Sequence, residues 1–224
     1  MKKFATAFLM AFATILIAGA DASAQDITCT GTIGAVQAST VTVPPGASCV
    51  LIGTLVSGDI KVQQGASLDA RNVRVDGSVQ ADFANRVQIR NGSQIQGDVQ
   101  IKNGVSGIVT RAVVVGNVEF EGNRGNLTVS FSDIEGELKV SKNFGVVNIL
   151  SNININDNIL VEENGRRVTV QDNRTDGDIQ LSKNRGGVEA FDNFIVGNLQ
   201  CVENRPFQRE ANNTVGGTNQ CPNF

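Results

Sequence analysis

Gly177-Asp178-Ile179-Gln180-Leu181-Ser182-Lys183-Asn184-Arg185-Gly186-Gly187-Val188-Glu189-Ala190-Phe191-Asp192-Asn193-Phe194-Ile195-Val196 is one complete period of this chain. Ile179 and Leu181 alternate with polar residues, which puts both on one face of a strand. Asn184-Arg185-Gly186-Gly187 is a turn signal, Val188 and Ala190 form a second alternating pair, and Asp192-Asn193 marks a second turn. Ile195 is a third inward point just before Gly197. Three short β segments joined by turns cannot close a core alone.

The copies on either side supply what is missing. The phrase Gly, small polar, aliphatic, polar, aliphatic reads Gly58-Asp59-Ile60-Lys61-Val62, Gly77-Ser78-Val79-Gln80-Ala81, Gly97-Asp98-Val99-Gln100-Ile101 and Gly116-Asn117-Val118-Glu119-Phe120. It continues as Gly136-Glu137-Leu138-Lys139-Val140, Asp157-Asn158-Ile159-Leu160-Val161 and Gly197-Asn198-Leu199-Gln200-Cys201, with a degenerate Gly217-Thr218-Asn219-Gln220-Cys221. The steps between anchors are 19, 20, 19, 20, 21, 20, 20 and 20 residues. So regular a period means a stacked repeat. The expected fold is an all-β, single-stranded parallel β-helix with about 20 residues per rung and roughly nine to ten rungs. Right-handed crossovers dominate parallel connections, which favours a right-handed coil.

Stacking turns the repeat into columns. Val56, Val75, Ile95, Val114, Ile134, Ile155, Thr175, Ile195 and Val215 precede the anchors by two residues, and Ile60 to Leu199 follow them by two. Val62, Ala81, Ile101, Phe120, Val140, Val161, Leu181 and Cys201 form a third inward column, and Leu127/Val129 through Val188/Ala190 a fourth pair. Two polar columns share the period. Asn123, Asn143, Asn164, Asn184 and Asn204 hold one turn position; Asn152, Asn173, Asn193 and Asn213 hold the other. Both are expected to form asparagine ladders, since amides stack rung on rung and Asn tolerates left-handed turn geometry. The ladder accounts for this spacing; glycan-acceptor sequons at Asn91-Gly92-Ser93 and Asn126-Leu127-Thr128 do not. Lys142, Glu163, Lys183 and Glu203 alternate in sign down one column, which reads as weak, solvated surface ion pairs between neighbouring rungs.

Cys29, Cys49, Cys201 and Cys221 are spaced in two pairs, each 20 residues apart. Of the three possible connectivities, only Cys29–Cys49 with Cys201–Cys221 is local in a stack, and both bonds staple terminal rungs. Residues 1–24 read as a secretory signal: Lys2 and Lys3, an apolar run over 4–20, then Ala22-Ser23-Ala24 as the cleavage site. The mature domain is then 25–224, exported to the periplasm, cell surface or medium, with no transmembrane anchor left after cleavage. Losing Lys2, Lys3 and Asp21 takes 19 basic and 22 acidic residues to 17 and 21, a net charge of −4. That acidic balance points away from nucleic acid.

Little in the chain speaks of chemistry. With no His, a nucleophile–His–acid triad and a mixed Cys/His zinc site are excluded, and no phosphate loop, dinucleotide fingerprint or EF-hand occurs. No metal site or cofactor is expected. Asp172 and Asp192, one rung apart with Asp178 and Arg174 nearby, are the best carboxylate pair for a polysaccharide hydrolase or lyase. Each precedes a ladder Asn in an ordinary turn, which favours a local structural role. An ice-binding face would need regular Thr columns, and the outward column from Lys61 to Gln220 is charged and Gln-rich instead.

The Gly-x-Val/Ile-x-Val/Ile phrase resembles that of single-stranded right-handed parallel β-helix proteins. Gly197-Asn198-Leu199-Gln200-Cys201, Asn213-Thr214-Val215-Gly216-Gly217 and Gln220-Cys221 together look like the ending of a group of uncharacterised exported bacterial proteins. That resemblance implies no activity and no catalytic residues. A weaker similarity is to bactofilins, polymer-forming β-helix scaffolds that are cytoplasmic and open-ended, unlike a chain with Cys-bearing ends. The expected function is a non-catalytic, exported rod serving as a binding, adhesion or spacer module. Its partner is expected to be a cell-surface or matrix polysaccharide or another protein.

Overall fold

In the computed structural model, which describes residues 24–221, the chain winds into a parallel β-solenoid of about nine turns. The segment read as a signal lies outside the described residues apart from Ala24. Within a turn, the second strand (Val188–Phe191 in the type copy) joins a ten-stranded sheet that runs from Thr32–Ile33 to Gln208–Ala211. The first and third strands, Ile179–Ser182 and Phe194–Ile195, belong to a nineteen-stranded sheet. No helix among the described residues is long and apolar enough to cross a membrane.

The columns expected from the sequence are in register. Ile60 pairs with Val79, Val79 with Val99, Val99 with Val118, and so on to Leu199. Leu127 and Val129 stack on Val147 and Ile149, then on Val168 and Val170, then on Val188 and Ala190. All of these are buried, so every inward methyl meets its counterparts above and below. Phe120 is the one ring in its column, and its bulk is matched across the core by Gly107. A Cβ at Gly107 would lie 3.3 Å from the ring edge and 3.0 Å from Ile101 Cδ1. Anchor glycines answer a different demand, the close approach of successive rungs. A Cβ on Gly177 would sit 2.6 Å from Asn158 Oδ1 and 2.7 Å from the carbonyl carbon of Asp157.

Each turn bends sharply twice through a residue in the left-handed region, followed at once by an inward-facing residue. Lys142 (φ +56°) precedes Asn143, and Asp172 (φ +55°) precedes Asn173. The inward asparagines form the two ladders. Asn164 Oδ1 accepts from both the backbone N–H and the side-chain amide of Asn143 at 3.0 Å. Asn164 Nδ2 donates to the Val140 carbonyl and to Asn184 Oδ1, again at 3.0 Å. The second ladder repeats this pattern through Asn152, Asn173, Asn193 and Asn213. One amide thus satisfies buried polar groups of two turns at once.

Two features differ from the sequence reading. Lys142, Glu163, Lys183 and Glu203 do stack, but no ion pair within 4.0 Å joins them among the described residues, and Lys142 reaches Glu121 at 3.2 Å instead. All four stand on left-handed bends. The first turn is also short. Ile27 pairs with Val41, only 14 residues on, so a 20-residue step from Cys29 overshoots its own column. Cys49 lies in the ten-stranded sheet beside Leu68, and the Cys29–Cys49 bond crosses the corner between sheets with Cα atoms 5.5 Å apart. Cys201 and Cys221 behave as expected, stacked with Cα atoms 4.8 Å apart. At this end, Gln208 and Glu210 take positions that are Val188 and Ala190 one turn earlier. Their oxygens accept from Asn204 and Asn213, closing both ladders within the chain.

Candidate functional site

Asp172 and Asp192 sit on consecutive left-handed bends, φ +55° and +57°, with exposed side chains. The same column carries Phe131 and Ser151 before them and Asn212 after, so the carboxylates repeat over two turns only. Neither side chain makes a hydrogen bond among the described residues, and the two neighbours that could organise them are occupied elsewhere. Arg174 lies 4.8 Å over the Phe194 ring and pairs with Asp176 at 3.2 Å. Asp178 accepts from the backbone N–H of Asn198 at 2.7 Å and from its amide at 3.0 Å. Among the described residues, no acid–base constellation forms around this pair.

Asp178 belongs to a third ladder that runs through the residue after each anchor glycine. Asp59 accepts from the N–H of Ser78, Ser78 from Asp98, Asp98 from Asn117 and Asn117 from Glu137, all at 2.8–3.0 Å. Glu137 is too long for the position, and the next anchor is Asp157 rather than glycine. Asn158 N–H therefore turns to Asp157, and the ladder resumes from Asn158 to Asp178 and on to Thr218. Burial, then the nearby Asp157 charge, raises the Glu137 carboxyl above its ordinary range. In sequence the only signal for this ladder is a short polar residue at one position; the mixture of Asp, Ser and Asn hides their common role as acceptor.

The sequons are also absorbed by structure. Ser93 is buried, donating to the Arg90 carbonyl at 2.8 Å, and Asn126 Oδ1 accepts from the Val146 N–H at 3.2 Å.

Three surface depressions among the described residues are large enough to hold a ligand. One, of about 600 Å³, lies at the last turn against Pro206 and Phe207, whose ring is covered by Arg209. A second, of about 570 Å³, is lined by Glu163, Lys183, Arg185, Glu203 and Arg205, a mixed set of charges. The third, a groove of about 490 Å³, lies on the outer face of the early turns and includes Lys61, Gln63, Gln64, Gln80, Phe83 and Gln100. Its wall has a local cause. Gln63-Gln64-Gly65-Ala66 is a wider corner than those that follow, closed by Ala66 N–H to the Gln63 carbonyl at 3.0 Å. The next turn bends instead at Phe83, whose carbonyl accepts from the Gly65 N–H at 2.8 Å. Phe83 adopts φ +54° with 51% of its surface exposed.

Comparison with protein families, curated proteins and solved structures finds no match.

The residues themselves then separate the charged depression from the groove. In the charged one, groups of both signs face solvent without a buried polar anchor. In the groove, Lys61, Gln80 and Gln100 stand in register on three successive strands, so their polar ends repeat at the rung spacing of about 4.8 Å. Sequence reading placed these glutamines outward; it could not see that the corner beside them widens.

Proposed function

We propose that this protein is exported and works as a rigid, non-catalytic rod about 45 Å long, a binding, adhesion or spacer module at the cell surface or in the surrounding matrix. The observation that carries the reading is the use made of polar residues. The ladder amides serve the stack, while the surface keeps a groove and a rigid spacing between its two ends. The signal-type residues 1–24 and two disulfides, which persist in oxidising compartments, support export. Its partner is a surface or matrix polysaccharide, or a protein embedded there.

The test is retention of the purified protein on insoluble cell-envelope and polysaccharide preparations, with the soluble fraction analysed for released fragments. Saturable retention without fragments is the expected result. Retention on none of them contradicts the adhesive role. Release of fragments that disappears in Asp172→Ala or Asp192→Ala contradicts the non-catalytic one.

A further inference from the structure

We infer that the groove beside Phe83 is a binding site for an extended, β-linked pyranose chain lying along the solenoid axis. The inference rests on reading the rod as a binding module and names the site and the ligand class.

The first argument is hydrogen-bonding capacity. The inward amides are consumed: every ladder asparagine has a partner. Outward glutamines such as Gln180 and Gln200 keep theirs free among the described residues, and Gln63, Gln64, Gln80 and Gln100 are the four that gather around one depression. Each amide offers two donors and an acceptor, which matches the donor-and-acceptor character of sugar hydroxyls. Of the charged neighbours, Lys102 pairs with Glu119 at 2.6 Å and Asp82 accepts from the Asn103 amide at 3.0 Å, while Lys61, unpaired among the described residues, keeps its ammonium free for a hydroxyl.

The second argument is the ring. Phe131, Phe194 and Phe207 each lie under an arginine at 4.8–5.3 Å. Phe83 has no such cover among the described residues. It also occupies a left-handed bend that other turns fill with Asn103, Lys142 or Glu163. A bulky aromatic is disfavoured there, and half of its surface is open. Phe131 takes a similar bend, φ +51°, but beneath Arg111, whereas the Phe83 ring is left bare beside the groove. An exposed ring beside free amides offers an apolar platform for the C–H face of a sugar.

The third argument is spacing. Polar groups from Lys61, Gln80 and Gln100 recur at about 4.8 Å, close to the length of one unit in an extended β-linked chain. A curved α-linked chain cannot keep that register over three rungs.

Titration of the labelled protein with cellohexaose and chitohexaose, with maltohexaose as the curved control, is the test. Nuclear magnetic resonance reports which amides move. The expected result is saturable shifts at Gln63, Gln80, Phe83 and Gln100 with either β-linked hexamer and at least tenfold weaker binding of maltohexaose. Phe83→Asn suits the left-handed bend, so it should weaken binding at least tenfold while leaving the unfolding midpoint unchanged or higher. Gln80→Ala and Gln100→Ala should each weaken it threefold or more. Absence of shifts at these residues, or undiminished binding by Phe83→Asn, would overturn the site. Matrix retention with a silent groove removes this site and leaves the adhesive role standing, whereas loss of retention in the wild-type chain removes the adhesive role itself.

Discussion

Up to Gly104 the inward corner after the first strand is lined by Ala66, Ala84 and Gly104; from Asn123 onward it is lined by asparagine in every turn. The other inward corner changes in the same way. It reads Thr54, Val73, Ser93, Ala112 and Ser132 before Asn152, Asn173 and Asn193. One backbone path is therefore satisfied by two chemistries. In the early turns a hydroxyl serves every second rung: Ser93 Oγ accepts from Val73 N–H at 3.3 Å and donates to the Arg90 carbonyl at 2.8 Å. Ser and Thr carry one donor and a short reach, so the intervening residue is apolar. An asparagine amide carries two donors and an acceptor, so it bonds the turn before and the turn after, and the pattern can repeat without a gap. The late half is a continuous polar spine within an apolar core, and the early half is a conventional aliphatic one with isolated hydroxyl clips.

This difference sets the largest expected effect. Asn164→Ala leaves the Asn143 N–H and amide, the Val140 carbonyl and Asn184 Oδ1 without that partner, in a site that excludes water. A loss of about 3–5 kcal/mol is expected, since each stranded buried group costs ~1–3 kcal/mol. Ser93→Ala strands far less and should cost about 1 kcal/mol. Denaturant unfolding of the two variants measures the ratio; equal losses would mean that the spine adds nothing over the clips.

The ends come next. Each disulfide closes a 20-residue loop, worth about 3 kcal/mol on the chain-entropy account. The consequences should differ in extent. Cys201→Ala with Cys221→Ala frees a bond between stacked neighbours, so hydrogen exchange should accelerate mainly over 199–221. Cys29→Ala with Cys49→Ala frees a bond that ties the two sheets together across a corner, and exchange should rise in both the 25–29 and 48–52 strands. Protection lost equally along the whole rod would contradict nearest-neighbour stability.

The smallest effect is on pH dependence, where the halves carry opposite signs. In the early half, hydrogen bonding from Arg90, aided by Arg71, holds the Asp69 carboxyl down at about 2. Its stabilising contribution is complete above the ordinary value of 3.8 and is lost as pH falls toward 2, about 2 kcal/mol in all. In the late half, Glu137 is raised by burial and by Asp157. Its contribution is complete below the ordinary value of 4.5 and is lost as pH rises through the folded value. Asp69→Asn should remove stability at pH 5 but not at pH 2. Glu137→Gln should raise stability at pH 7 and change little at pH 4. Unfolding midpoints across this range, measured for both variants, check the signs.

The aliphatic columns and both asparagine ladders were legible because each inward residue repeats its own type at one fixed step. Where type and role part company, reading failed. The third ladder mixes Asp59, Ser78, Asp98 and Asn117, which share only an acceptor oxygen one or two bonds from Cβ. The first turn has no Gly-x-Val-x-Val phrase to announce its length, so the step of 14 from Ile27 to Val41 leaves no mark in the sequence, although the Cys29–Cys49 pairing is legible. The groove depends on one extra residue in the corner before Gly65 and on an exposed Phe83, neither of which stands out among turn residues until the chain is wound.

Everything depends on residues about twenty apart lying over one another along a single axis, and distances between paired spin labels measure this directly. With one label at position 80 and the second at 160, 180 or 200, the partners stand four, five and six rungs away in one outward column. Mean separations should rise linearly by about 5 Å per rung, from roughly 19 to 29 Å. Separations that stay level, or that scatter without regard to rung number, would contradict the stacked architecture.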